Sequence, residues 1–336
     1  MDLQTFIIRR LVPLPLVLLG VAMLVFTISY LMPGDPVALA LGPRATPEDR
    51  AKYRAQLGLD QPAPLQFARY LGGLLQGDFG ISLVTQRPVA YDLRLAIPAS
   101  LELSLFAITI SVAVGIPLGV VAAVNANRPP DYLSRVITLS GVSMERAWTA
   151  VLLQFLVASV FVGFPLLGRL SVPPPPQLTG LLLVDSLLAG DLVAFADALR
   201  HLILPAFALS LATLAQVARL TRSRMLEERS KDYIQANVAQ GLPSLLITYK
   251  YMLRNALTAT LTVIGLAYGF LLGNAFLVEA VYGWPGLGSY GVTAILNNDF
   301  PAIAGVTLVM GTTFVVINTI VDLLYACVDP RIRYAR

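Results

Sequence analysis

The chain has 336 residues, 56% of them hydrophobic and only 13% charged, with a mean hydropathy of +0.72. A soluble domain has no use for so much apolar surface, so lipid is the solvent for much of it, and a membrane surface explains the net charge of +4 better than nucleic acid does. One cysteine, Cys327, and one histidine, His201, exclude an intrachain disulfide and a His/Cys zinc set.

Arg9 and Arg10 precede an apolar run, Leu11 to Met32, that is 22 residues long and lacks a small-residue cleavage site. It predicts a retained anchor rather than a cleaved signal peptide. "PGDP" (Pro33 to Pro36) is a turn signal, and "TPEDRAKYRAQLGL" predicts a helix with Thr46 as N-cap and Pro47 in its first turn. Together they suggest a small folded cap outside the membrane.

Five further apolar windows of spanning length follow: Ile97 to Val124, Val136 to Phe161, His201 to Leu220, Leu257 to Tyr282 and Pro301 to Cys327. Six crossings put both termini on one side. Pro13, Pro15, Pro117 and Pro205 fall inside these runs, where neighbouring helices can re-satisfy the carbonyls they free. Between the third and fourth spans, "PPPP" (Pro173 to Pro176) predicts a stiff element. "LLLVDSLLAGDLVAFADAL", interrupted by Asp185, Asp191 and Asp197, predicts an interfacial helix rather than a span. "GWPGLG" (Gly283 to Gly288) follows no strand and reads as an external hairpin, not a phosphate-binding loop.

Basic residues set the orientation. Arg9, Arg10, Arg128, Arg135, Arg331, Arg333, Arg336 and seven Lys or Arg between Arg219 and Arg254 lie in connections on one side, against Arg169 and Arg200 in the short loops of the other. The bias places both termini and the 221–256 loop in the cytoplasm.

Charges within spans are costly and usually functional. Glu102 and Glu279 near outer span ends, and Asp322 near an inner end, read as structural pairing groups. Glu145 and Arg146, in "GVSMERAW", fall about ten residues into the third span. Adjacent helical residues point about 100° apart, so the two cannot share one narrow seam, and at least one meets a partner or an aqueous path. Two readings stay open: a translocation cavity favouring zwitterionic peptides, or a buried ion pair in a subunit interface. His201, beside Arg200, reads as an interfacial anchor, Cys327 as a small apolar residue at a helix end, and Trp148 and Trp284 as aromatic-belt residues.

"KDYIQANVAQGLPSLL" (231–246) sits between two apolar stretches. Ser230 can cap a helix beginning at Lys231, with Asp232 in the first turn and Gly241 and Pro243 ending it, about ten residues or roughly 15 Å. Ile234, Val238, Leu242, Leu245 and Leu246 form an apolar stripe that continues past the turn into a second helix. A return to the membrane needs only a few residues. This connection spends more than thirty, which predicts a docking surface for another protein rather than a solvated loop.

The stretch "DYIQANVAQGLPSLLITYKYMLRNAL" resembles the conserved cytoplasmic loop of binding-protein-dependent ABC importer permeases. The pattern there is Glu-Ala-Ala, three residues, then Gly. Gln235, Ala236, Asn237 and Gly241 occupy those positions, so the first alanine and the glycine match and the other two do not. "LRHLILPAFALSLATLAQVARLTRSRML", "VEAVYGWPGLGSYGVTAILNNDFPAIAGVTLV", "IVDLLYACVDPRIR", "LMPGDPVALALG" and "LGLDQPAPLQFARYLGGLLQGDFGISL" look like the dipeptide and oligopeptide branch. At Glu145 and Arg146 the related permeases generally have a proline and a small residue.

The resemblance implies an all-α type I importer transmembrane domain of six transmembrane helices. Residues 1–96 would be the anchor and cap, 97–328 the transmembrane domain with its coupling loop 221–256, and 329–336 a cytoplasmic tail. It implies a second, similar permease, two cytosolic ATPase subunits and an external solute-binding protein. Asp232, Tyr233, Gln235, Ala236, Asn237 and Gly241 would lie on the ATPase-coupling helix. The chain has no G-x-x-x-x-G-K-[ST] and only three lysines, Lys52, Lys231 and Lys250, so ATP and magnesium would be bound by partner subunits. No cofactor or metal is expected in this chain. Relatives of this branch carry peptides, nickel, glutathione or sugar-like solutes, and no Met/His cluster here favours nickel. An intramembrane enzyme needs a facing nucleophile and base, for which one histidine at a span edge offers no evident pair. A self-contained channel would conduct without an ATPase.

Overall fold

The computed structural model describes residues 12–31, 37, 46–58, 60–161 and 163–328. The helices are α1 (Pro13–Leu31), α2 (Pro47–Leu57), α3 (Ala63–Leu75), α4 (Val89–Val124), α5 (Pro129–Ser143), α6 (Arg146–Val160), α7 (Leu182–Leu188), α8 (Leu192–Arg229), α9 (Asp232–Ala239), α10 (Arg254–Tyr282), α11 (Leu287–Leu296) and α12 (Phe300–Val328). A single turn, Ser244–Leu246, and a π-helical stretch, Ile247–Leu253, lead into α10. The expected turn at Pro33–Pro36, the basic residues Arg9, Arg10, Arg331, Arg333 and Arg336, and the tail 329–336 lie outside the described residues.

Among the described residues, four stretches are long and apolar enough to cross a membrane: Val89–Val124, Leu192–Arg229, Val263–Tyr282 and Phe300–Val321. The pair α5 and α6 is bent by 112° at its break and counts as a fifth only when its two helices are taken together as one broken span. α1 is 19 residues long, about 28 Å of helix at ~1.5 Å per residue. It packs Ala22 and Val25 against Ala304 and Leu308 of α12. Its Phe26 ring lies 5.3 Å from that of Phe67 and 5.8 Å from that of Tyr70, which ties α3 to the anchor helix. α2 begins as the sequence indicates, with Thr46 Oγ1 accepting the Asp49 N–H at 3.2 Å, and it ends at Gly58 in the left-handed conformation.

α4 and α8 form the centre of the bundle, and glycine lets their backbones touch. A Cβ on Gly119 would sit 2.6 Å from the Ala218 carbonyl oxygen, and one on Gly115 2.9 Å from that of Leu214. Ser111 Oγ donates across the same seam to the Ser210 carbonyl at 3.1 Å. Around the seam pack Leu103, Leu202, Leu209, Leu271, Tyr282 and Trp284, all buried. Pro117 and Pro205 are accommodated inside these long helices, as expected of spans.

Several expectations are corrected. α8 begins at Leu192, not at His201, because the Asp191 carboxylate accepts the Ala194 N–H at 2.9 Å and caps a helix that runs on through the whole span. Only Leu182–Leu188 remains as a separate short helix. "GWPGLG" is a helix–turn–helix corner between α10 and α11 rather than a hairpin. Trp284 within it is buried rather than belt-like, donating Nε1–H to the Ala99 carbonyl at 2.9 Å. The third span is not one helix, and its break falls at Met144 and Glu145, both extended.

Candidate functional site

The break creates the first half of the site. Glu145, at φ −66° and ψ 140°, is the N-cap of α6, and its Oε2 accepts the Trp148 N–H at 3.1 Å. Freed from one helical register, Glu145 and Arg146 both line a cavity of about 740 Å³ between the bend, α8 and α10. The separation of about 100° that keeps helical neighbours out of one narrow seam does not apply to this pair, because Glu145 is not helical. Arg146 Nη1 reaches across to Asn274 Oδ1 on α10 at 2.9 Å. No ion pair joins Glu145 to Arg146 among the described residues. Arg219, Gln216 and Thr213 of α8 complete the polar wall and Phe270 and Leu271 the apolar one. Sequence reading missed Gln216 and Asn274 and counted Arg219 with a cytoplasmic connection rather than with α8, because nothing in the pattern shows which face of a span meets a void.

The second half is α9, eight residues long. Ser230 does not cap it: Ser230 closes α8, donating Oγ–H to the Glu227 carbonyl at 2.8 Å, and Lys231 takes the N-cap position without a side-chain bond. Ile234 is buried against Met225, Val120, Ile247 and Met252. Glu228 accepts from Lys231 Nζ and from the Tyr233 hydroxyl, which in turn accepts from Asn255 Nδ2 at 2.8 Å. The Glu228 carboxylate raises the Lys231 pKa above its ordinary value. Partial burial, with help from Glu228, raises that of Tyr233. Tyr233 is therefore engaged within the chain, whereas Asp232, Gln235, Ala236 and Gly241 are exposed and Asn237 half-buried.

Gly241, at φ +73°, turns the chain, and Leu242 N–H bonds the Asn237 carbonyl at 3.2 Å. The expected continuous stripe is split, within α9 as well as across this turn. Ile234, Leu242 and Ile247 face inward, and Val238 and Leu245 face out.

The remaining charged groups pin the connections. Glu102 accepts from Arg169 Nε at 3.1 Å and from the Leu183 N–H at 2.7 Å. Glu279 accepts from Ser100 Oγ at 2.6 Å and the Gly288 N–H at 2.7 Å, fixing α11 to α4 and α10. His201 is buried, with Nδ1 2.9 Å from the Asp197 carbonyl oxygen and Nε2 3.1 Å from Ser171 Oγ. The sequence did not reveal this serine–histidine pair. Asp197 Oδ2 accepts the Ser171 N–H at 2.6 Å, so the three groups staple the proline-rich segment to α8. The side chains of Asp322 and Cys327 lie outside what the structure describes.

Among the described residues no group of three or more His, Cys, Asp or Glu is placed to hold a metal. A family profile described as the binding-protein-dependent transport system inner membrane component matches residues 115–334. Its N-terminal companion profile matches residues 3–102. The chain belongs to this family. As a member, it is a multi-pass component of the inner membrane with a transport role. It is 45% identical over 321 residues to the probable D,D-dipeptide transport system permease protein DdpB of Escherichia coli K12, covering 95% of this chain and 94% of that one. The dipeptide transport system permease protein DppB of Alkalihalophilus pseudofirmus is 40% identical, covering 98% of this chain and 99% of its own length. The glutathione transport system permease protein GsiC of Salmonella paratyphi A is 37% identical, covering 98% and 99% respectively.

Proposed function

We propose that this family member is one of two membrane subunits of an ATP-driven importer of short peptides, with both termini and α9 in the cytoplasm. The observation that carries the peptide reading is near-full-length likeness to permeases named for D,D-dipeptide and dipeptide transport. The orientation rests on the basic residues clustered from Arg219 to Arg254. α9 is the coupling helix: Ile234 and the Glu228 network seat it on α8 and the π-helical stretch, while Gln235, Ala236 and Gly241 face the ATPase. Closure of two ATPase subunits moves it as one body, and the bundle alternates which end of the cavity is open. Glu145 and Arg146 line the path taken by the solute after an external receptor delivers it.

Reconstitution tests this. With the second permease, ATPases and receptor in proteoliposomes, labelled dipeptide uptake requires ATP and every partner. Flux through this chain alone, or import unchanged after deletion of 231–243, sinks the reading. Replacing Glu145 and Arg146 together by Ala lowers uptake per assembled complex. Lost assembly with unchanged transport per complex removes them from the path. The likeness to GsiC supports glutathione as a second solute, and competition of dipeptide uptake by excess glutathione decides between the two.

A further inference from the structure

The cavity at the bend holds more unpaired positive than negative charge. Arg146 commits Nη1 to Asn274, but its Nε is shut off from solvent and has no acceptor among the described residues. A buried donor in that state calls for an acceptor that the described residues do not supply. Arg219, exposed on the same wall, makes no ion pair among the described residues. Glu145 is the one acidic side chain of the lining, and one of its oxygens is occupied by the helix cap. The void is of a size that takes a small ligand, and Phe270 and Leu271 give it an apolar flank for a short side chain.

We propose that Arg146 and Arg219 recognise the carboxylate of the solute during its passage, while the free oxygen of Glu145 faces its ammonium group. The inference rests on the peptide-importer reading and goes beyond it: the membrane step itself selects free-acid peptides, separately from the receptor. A guanidinium matches a carboxylate through parallel N–H bonds, a geometry that neither an amide-capped terminus nor a lysine reproduces.

The test uses the complete transporter in proteoliposomes, with alanyl-alanine and its C-terminal amide as probes, each at a concentration shown by calorimetry to saturate the receptor. The wild-type complex carries the acid faster than the amide. Arg146→Gln slows the acid about tenfold or more, the scale of one charged hydrogen bond, and slows the amide by a much smaller factor, so the preference collapses. Arg146→Lys recovers part of the acid rate. If Arg146→Gln slows both probes by the same factor, carboxylate recognition is overturned while the placement of Arg146 on the path stands. If both probes move at wild-type rates, that placement falls as well. Assembly is followed by co-purification, and should Arg146→Gln fail to assemble, the acid-to-amide ratio of Arg219→Gln decides in the same way.

Discussion

Asp131 is fully buried at the start of α5 and accepts from Arg222 Nε at 2.6 Å, Arg222 Nη2 at 2.8 Å, Arg135 Nη2 at 2.7 Å and the Asn127 N–H at 2.9 Å. It is the electrostatic joint between α5 and α8. Asp131→Ala leaves Arg222 without its acceptor and costs about 3 kcal/mol of stability, read as a lower unfolding midpoint in detergent. Adding Arg222→Met recovers part of the loss. Asp185, in the segment outside the spans, is a second buried carboxylate. Burial disfavours its charge, but the Thr179 hydroxyl and the Thr179 and Gly180 N–H groups outweigh that and hold its pKa below the ordinary carboxylate value. A depressed folded pKa gives stability that is present above the unfolded value of about 3.9 and fades as pH falls below it. Protease nicking of residues 163–191 therefore rises on acidification below about pH 4 in the wild type. In Asp185→Asn it is already high at neutral pH.

The seam between α4 and α8 depends on two missing side chains. Gly119→Leu places atoms where the Ala218 carbonyl and Thr221 now stand, forces the helices apart, and costs roughly 1–3 kcal/mol. Reduced yield of assembled complex with a lowered unfolding midpoint is the expected outcome, while Gly72→Leu, whose Cβ meets no atom of the described residues within 4 Å, is tolerated. That α4, α8, α10 and α12 exist was legible in the sequence, because apolar runs of spanning length have few alternatives in lipid. Their ends were less so. Asp191 is an ordinary N-cap signal and could have placed the start of α8, but the acidic residues around it were read as an interruption. Ser230 misled in the opposite direction, since its hydroxyl bonds backward to Glu227. The bend at Met144 and the π-helical stretch left no periodic trace, and both depend on packing from elsewhere in the bundle. The site was half legible: Glu145 and Arg146 stand out as charges in an apolar run, whereas Arg219 and Asn274 join them only through the tertiary arrangement.

Force transmission in the proposed importer runs through the whole bundle, from α9 through α8 and α10 to the cavity walls. Arg219 lies ten residues before Arg229 on α8, about 15 Å along the helix from the end that carries α9, so lever and cavity share one rigid rod. Gly241 controls the other attachment. Its left-handed backbone is strained for most residues, yet a Cβ there meets no atom of the described residues within 4 Å. Gly241→Asn, which tolerates that conformation, retains coupled uptake. Gly241→Val costs about 1–2 kcal/mol of backbone strain and leaves ATP hydrolysis running without import, measured as the ratio of peptide taken up to phosphate released.

The chain contains two tryptophans, and they report from opposite environments. Trp284 is 1% exposed in the corner between α10 and α11, whereas Trp148 is 69% exposed three residues beyond Glu145. The first emits from a dry, quencher-resistant position, and the second is open to iodide or brominated lipid. A Trp284→Phe protein therefore carries a single tryptophan beside the bend, and exciting it selectively over the tyrosines reports on that bend in the isolated subunit without attaching a dye.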